Sequence, residues 1–207
     1  EKTKNTLNML LTEYRPFKTN RQLAEQAIKE NKPLIVSGVI QRAEAKNQNE
    51  RVYPKDILER EVQSYIDGPI ADNRAMGELD HPESSIINLK NVSHNIIDIN
   101  FDGDNIMGTI DLLPTPSGNI LKELFKNDIT VGVSSRGMGS LQDKGGVLEV
   151  QDDFELLCWD FVSTPSNPGS YMYPINESLE SENLNPYQKI NNIISEILCA
   201  NGSCPID

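Results

Sequence analysis

Histidine is scarce in this chain of 207 residues: His81 and His94 are the two present, so any imidazole chemistry must use one of them. Cysteine is nearly as sparse. Cys158, Cys199 and Cys204 are too few, and odd in number, for a disulfide framework, which suits a reducing compartment. With no CxxC pair, a zinc site would have to gather Cys199, Cys204 and a distant histidine, so neither a metal nor another cofactor is expected. No stretch approaches the roughly 20 apolar residues that cross a bilayer. The opening EKTKNTLNMLLTEYR holds neither a long apolar core nor a small-residue cleavage site, so neither a membrane partner nor a retained secretory signal is expected. Positive charge is also short: 19 Lys and Arg stand against 31 Asp and Glu, and the resulting −12 repels phosphate backbones, so no nucleic-acid partner is expected.

What is there suffices for one core with tails. Apolar residues are 37% and charged residues 24% of the chain. Over residues 1–32 the spacing of Leu7, Leu10, Leu11, Leu23, Ala27 and Ile28 predicts helix with one apolar stripe. From Pro33 the texture turns β-branched in LIVSGVIQRAEA, a buried strand opening a folded domain over 33–175. Pro54 suits the first position of a helix, PKDILEREVQSYI, whose apolar face ends at Asp67-Gly68-Pro69. Residues 70–113 run mostly with period two around a hairpin turn at Asp102-Gly103-Asp104-Asn105. Thr115 and Pro116 read as N-cap and first residue of a short helix, followed by the strand ITVGVSSRGMGSL, a turn at Asp143–Gly146 and a further strand in VLEVQDDFELLCWDFVS. The sum is an α+β domain with antiparallel pairing. Residues 176–207 hold the acidic NESLESENLN and the amphipathic PYQKINNIISEIL, a linker and a removable tail.

Chemistry concentrates in GVSSRGMGS, where Gly132, Gly137 and Gly139 strip side chains from around Ser134 and Ser135. Such a strand lets a peptide approach closely and lets main-chain N–H groups of Ser135, Arg136 and Gly137 point at one oxyanion; the plainer reading is a bulged glycine-rich strand. Arg136 could serve the oxyanion, hold its loop by hydrogen bonds, or pair with a surface carboxylate. A serine hydroxyl is a weak nucleophile until a base takes its proton. His81, between Asp80 and Pro82 at a strand end, can face a cleft or merely cap a turn; His94, inside NVSHNIID, reads as a surface or structural residue. Asp160 lies in the apolar CWDFVSTPSNP, where an unpaired carboxylate would cost several kcal/mol. It needs a partner, either nearby backbone or an imidazole whose tautomer it fixes. The chain order His, Ser, Asp differs from the common triads.

The combination of ERVYPKDILEREVQSYI, GELDHP, GVSSRGMGSL and DFVSTPSNP resembles the prohead core proteases of myovirus-type tailed bacteriophages, distant relatives of the herpesvirus assemblins, over residues 33–175. The resemblance implies His81 as general base, Ser134 as nucleophile and Asp160 as third member, with Asp80 filling a variable position. It implies a compact antiparallel β-barrel flanked by helices. It further implies a serine endopeptidase in the interior of the viral prohead, in the host cytoplasm, that cuts scaffold proteins, capsid proteins and itself, and that self-associates. The family's preference is for cleavage after a Glu with Leu or Ile two residues before it. Four such triplets, ending at Glu25, Glu30, Glu59 and Glu123, fall in predicted helices and should be protected. Triplets ending at Glu177 and Glu196 are the expected self-cleavage sites, with Glu13 next, and the tail can occupy the cleft as a tethered pseudo-substrate. Two other readings compete: a non-catalytic scaffold or capsid-assembly component on the same barrel, and a metal-dependent hydrolase using His81, His94 and carboxylates.

Overall fold

Helix α1 (Arg21–Glu30) is the first element of the computed structural model, which describes residues 21–82 and 84–175. Leu7, Leu10, Leu11, Glu13, Glu177, Glu196, Cys199 and Cys204 lie outside the described residues. Strand β1 (Leu34–Arg42) opens the domain as the β-branched run requires, and β2 (Arg51–Val52) follows. Helix α2 (Lys55–Tyr65) begins one residue later than expected, with Pro54 as its cap. Nor does Asp67-Gly68-Pro69 stop it: the chain continues as a π-turn over Ile66–Ile70. The wider winding explains how a proline is accommodated. Ala71 N–H reaches Ile66 O at 3.1 Å and Arg74 N–H reaches Pro69 O at 2.8 Å, both five residues back, around a residue that has no N–H of its own.

Strands β3 (Met76–Glu78), β4 (Val92–Asp102) and β5 (Asn105–Leu112) come next, β4 and β5 joined by the expected hairpin with Asp102 opposite Asn105. Helix α3 (Pro116–Lys126) starts where local chemistry says it must: Thr115 Oγ1 accepts the Gly118 N–H at 3.1 Å, and Pro116 occupies a position whose N–H would be unpaired anyway. Strands β6 (Gly132–Met138), β7 (Leu141–Asp143), β8 (Leu148–Val150), β9 (Glu155–Val162) and β10 (Met172–Pro174) complete the chain described.

A five-stranded antiparallel sheet runs β10-β1-β5-β4-β3, with a three-stranded sheet β2-β8-β7 and the antiparallel pair β6-β9 beside it. No ladder closes into a barrel among the described residues. Among the described residues the β-pairing of the β6-β9 pair with the flanks of the large sheet is limited to two isolated bridges, Leu79 to Phe161 and Gly132 to Tyr171. Prolines account for the short seams. Pro82 cannot donate to an extension of β3, and Pro165 and Pro168 interrupt the run from β9 to β10.

The core joins Val36 and Ile40 of β1, Leu58 and Val62 of α2, Ile110 of β5 and Phe125 of α3 to Trp159 and Phe161 of β9. Tyr65 packs edge-on against Trp159 with centroids 5.1 Å apart, and Trp159 Nε1–H donates to Gln41 Oε1 at 3.2 Å. The start of β4 departs from the expected alternation: Val92 to Ile96 are all buried. The N-terminus of α3 covers one side, with Thr115 Oγ1–H donating to Val92 O at 2.6 Å, and β9 covers the other. His94 is therefore not a surface residue. Its Nε2–H donates to Trp159 O at 3.0 Å and its Nδ1 lies 2.8 Å from Ser93 Oγ.

Candidate active site

The register of two strands sets this site. In the β6-β9 ladder Ser134 stands directly opposite Asp160, and Arg136 opposite Cys158, so these four share one face. The last residue of β3, Glu78, donates its N–H to Asp160 Oδ1 at 2.9 Å. That approach depends on Gly77, where any Cβ would overlap the Trp159 carbonyl oxygen and the His94 ring.

Beyond Glu78 the chain makes one tight bend. Asp80 adopts φ +69° and donates its N–H to Phe161 O at 2.9 Å, a left-handed conformation that Asp tolerates better than most residues. The bend delivers His81 to Asp160, with Nδ1 at 2.8 Å from Oδ2. Because the carboxylate can only accept, His81 Nδ1 carries the proton and Nε2 is left bare. The imidazole is 38% exposed while the Asp160 side chain is fully buried, so the pair sits at the bottom edge of an open face.

Asp160 is unusually well supplied with donors. Beyond His81 and the Glu78 N–H, Arg136 Nη2 reaches Oδ1 at 3.1 Å, Arg136 Nε lies 3.0 Å from Oδ2, and the Cys158 thiol reaches Oδ1 at 3.5 Å. Burial by itself would raise this carboxyl, but the His81 bond, the Glu78 N–H and the Arg136 charge outweigh it and hold the group below its ordinary value. Burial also pushes the Cys158 thiol up to about 12 and the His94 imidazole down to about 4, so both are neutral near neutral pH.

Ser134 is buried, and its Oγ lies 3.0 Å from Ser166 Oγ. Among the described residues no hydrogen bond joins Ser134 to His81. The Ser166 loop lies on β6: Ser170 O accepts the Val133 N–H at 2.9 Å, and a Cβ on Gly132 would come within 2.6 Å of Pro165. Of the three readings of Arg136, surface pairing is wrong. Its side chain is 9% exposed and holds Glu78 Oε1 at 3.1 Å and Ser84 O at 2.6 Å besides Asp160. Glu78 is fully buried and also accepts the Asn88 N–H at 3.0 Å.

The structure thus brings His81, Asp160, Arg136 and the strand of Ser134 and Ser135 together, with Gly137 at the exposed end of that strand. Ser166 and Glu78 were not singled out in the sequence. Both lie within distinctive blocks, DFVSTPSNP and GELDHP, but no local pattern says what either touches. No group of three His, Cys, Asp or Glu side chains converges as metal ligands among the described residues, and both ring nitrogens of His94 are already engaged. No helix of the described residues is long and apolar enough to cross a membrane.

A hydroxyl, an imidazole and a buried carboxylate at the seam of two strands belong to a mixed α+β protein with known kin. The chain belongs to the prohead core protein serine protease family, whose profile matches residues 12–182. It is 34% identical over 155 residues to the prohead core protein protease of Enterobacteria phage T4, covering 72% of this chain and 73% of that one. Its fold is similar to the solved structure of the bacteriophage T4 capsid assembly protease, gp21. The TM-score is 0.61 at 32% identity, over 64% of this chain and 84% of the other. The chain is a capsid-maturation protease of this family.

Proposed function

We propose that this protein is a serine endopeptidase in which Ser134 is the nucleophile, His81 the general base and Asp160 the group that orients and stabilises the imidazolium. The observation that carries the reading is the 2.8 Å bond from His81 Nδ1 to a fully buried Asp160 that stands opposite Ser134 in the ladder. With Nδ1 protonated, Nε2 takes the Ser134 proton as Oγ attacks the scissile carbonyl carbon. The tetrahedral intermediate collapses as Nε2–H protonates the leaving amine, giving an acyl-enzyme. Water then attacks by the same proton path and releases the new carboxyl end with Ser134 restored. A Ser166 hydroxyl that donates to Ser134 leaves the Ser134 proton free for His81, so the observed 3.0 Å contact is compatible with attack. Apo structures often lack the nucleophile–base bond that forms with substrate.

Register also distinguishes the oxyanion donors. Val133 N–H goes to Ser170, Phe161 O accepts from Asp80, and Trp159 O accepts from His94, so these residues face away from the β6-β9 seam. By alternation Ser135 shares their direction, and Arg136 turns its N–H toward Cys158. This supports the Ser135 main-chain N–H as the oxyanion donor beside Ser134, worth about 3 to 4 kcal/mol.

The substrates are scaffold proteins, capsid proteins and the chain itself, inside the prohead, with residues 33–175 as the protease domain, bounded by 1–32 and 176–207, the seven strands around the β6-β9 seam as a barrel closed by single bridges, and copies of the chain self-associating. The triplets ending at Glu25, Glu30, Glu59 and Glu123 all lie in α1, α2 and α3, which favours cuts at Glu177 and Glu196, then Glu13. Intact-mass analysis tests all of this together. Wild type should shorten on standing at those sites while the Ser134→Ala chain stays whole; equal shortening of both, or first cuts within 33–170, refutes the proposal.

A further inference from the structure

The site holds a second buried carboxylate that the triad does not use. Glu78 and Asp160 enter from β3 and β9 and share one guanidinium, Arg136 of β6, at 3.1 Å from Glu78 Oε1 and 3.0 Å from Asp160 Oδ2. We propose that Glu78 and Arg136 are a positioning pair for the reaction: by sharing the guanidinium, Glu78 stops Arg136 from neutralising Asp160 and so sets the pH at which His81 accepts a proton. The inference rests on the triad reading for its kinetic consequence, though not for its electrostatic one.

Counting charge makes the case. With His81 neutral, two carboxylates and one guanidinium leave one net negative charge, and the imidazolium brings the cluster to zero. Without Glu78 the same cluster is neutral at rest and becomes positive when His81 is protonated, which the largely buried guanidinium on the same carboxylate resists. Among the described residues, the other titratable groups facing Asp160 do not alter the count. Cys158 on β9 and His94 on β4 are held neutral by burial, and burial likewise raises the Tyr65 phenol of α2. Arg74 faces Tyr65, and is paired at 2.9 Å with Asp72. Asp80, next to His81 in the chain, is exposed and joins no ion pair among the described residues. The pair also steers geometry. Glu78 Oε1 accepts the Asn88 N–H and Arg136 Nη1 holds Ser84 O, so both ends of the segment that follows His81 are anchored to the same two side chains.

The test separates a charge-setting role from a merely structural one. In the full-length Ser134→Ala chain, the two histidine ring signals are followed by NMR against pH. Relative to that parent, Glu78→Gln should move the His81 midpoint down by about half a unit to one unit, Glu78→Asp should leave it in place, and Arg136→Gln should move it up. In the active chain the rising limb of kcat/KM against pH should move the same way. A folded Glu78→Gln chain whose activity falls while its His81 midpoint stays put overturns the proposal. Should that variant not fold, Arg136→Gln alone decides: an unchanged or lowered midpoint overturns it. The triad reading fails by a separate sign, cleavage by Ser134→Ala, which leaves the titration readable.

Discussion

Replacing Asp160 by asparagine keeps the shape of the site and removes its charge, and the hydrogen-bond inventory says how the new amide must sit. Oδ1 meets three donors, from Glu78 N–H, Arg136 Nη2 and the Cys158 thiol, whereas Oδ2 meets the His81 Nδ1 proton and the nearby Arg136 Nε. An amide NH2 at the Oδ1 position would face three donors. At the Oδ2 position it faces His81, whose Nδ1 can give up its proton to the other ring nitrogen and accept instead. The variant therefore settles with His81 protonated on Nε2, the nitrogen that has to take the Ser134 proton. Proteolysis should fall by about 10³ to 10⁴, the scale for a triad held in the wrong tautomer. Arg136 keeps buried Glu78 as its partner at 3.1 Å, so no buried charge is left unpaired and the variant should stay folded. The acid side gives a second readout. Asp160 is held below its ordinary value in the fold, so its stabilisation is complete above the unfolded value of about 3.9 and is lost as pH falls through the lower folded value. The Asp160→Asn chain should lack that portion of the acid slope. Cleavage assays and thermal melts against pH measure both, and a variant that cleaves within tenfold of wild type refutes the reasoning.

His81→Ala should abolish cleavage of a peptide substrate as thoroughly as Ser134→Ala, with Ser135→Ala much milder because its main chain is what acts; a dead Ser135→Ala beside an active Ser134→Ala would reverse the assignment. The wild-type rate should climb as pH rises through neutral, since an imidazole accepts a proton only when it is unprotonated; a rate flat across that range contradicts the base. Asp80→Gly should keep stability and activity, while Asp80→Val, forced to a φ of +69°, should lose about 1 to 3 kcal/mol in a denaturant melt; equal melts for the two would contradict the strain. His94 titrates near 4 in the fold and near 6.5 when unfolded, so acid favours the unfolded chain and stability should decline by about 3 kcal/mol as pH drops from about 6.5 to 4. Denaturant titrations of wild type and His94→Gln would show this as a slope present in the first and absent in the second.

Signals that act within a few residues were readable in the sequence. Thr115 and Pro116 start a helix because a hydroxyl and a missing N–H solve the problem of its own first turn, and the hairpin at Asp102–Asn105 follows from turn chemistry between two apolar runs. Scarcity did as much for the site: with two histidines in the chain, residue type alone narrowed the base, and an aspartate in an apolar strand demanded a partner. Which partner was a tertiary matter. Glu78 and Asp160 are 82 residues apart, Arg136 and Ser84 are 52 apart, and Ser134 and Ser166 are 32 apart. Their meetings follow from the β6-β9 register and the bend at Asp80, which no local pattern encodes. The same holds for His94, buried because α3 and β9 close over both faces of β4, and for the π-turn at Pro69. It holds too for the single-bridge seams left where prolines cannot donate to a ladder. Periodicity reports which face of a strand is apolar. What packs on that face, and which buried charges balance one another across it, is decided only when distant strands pair.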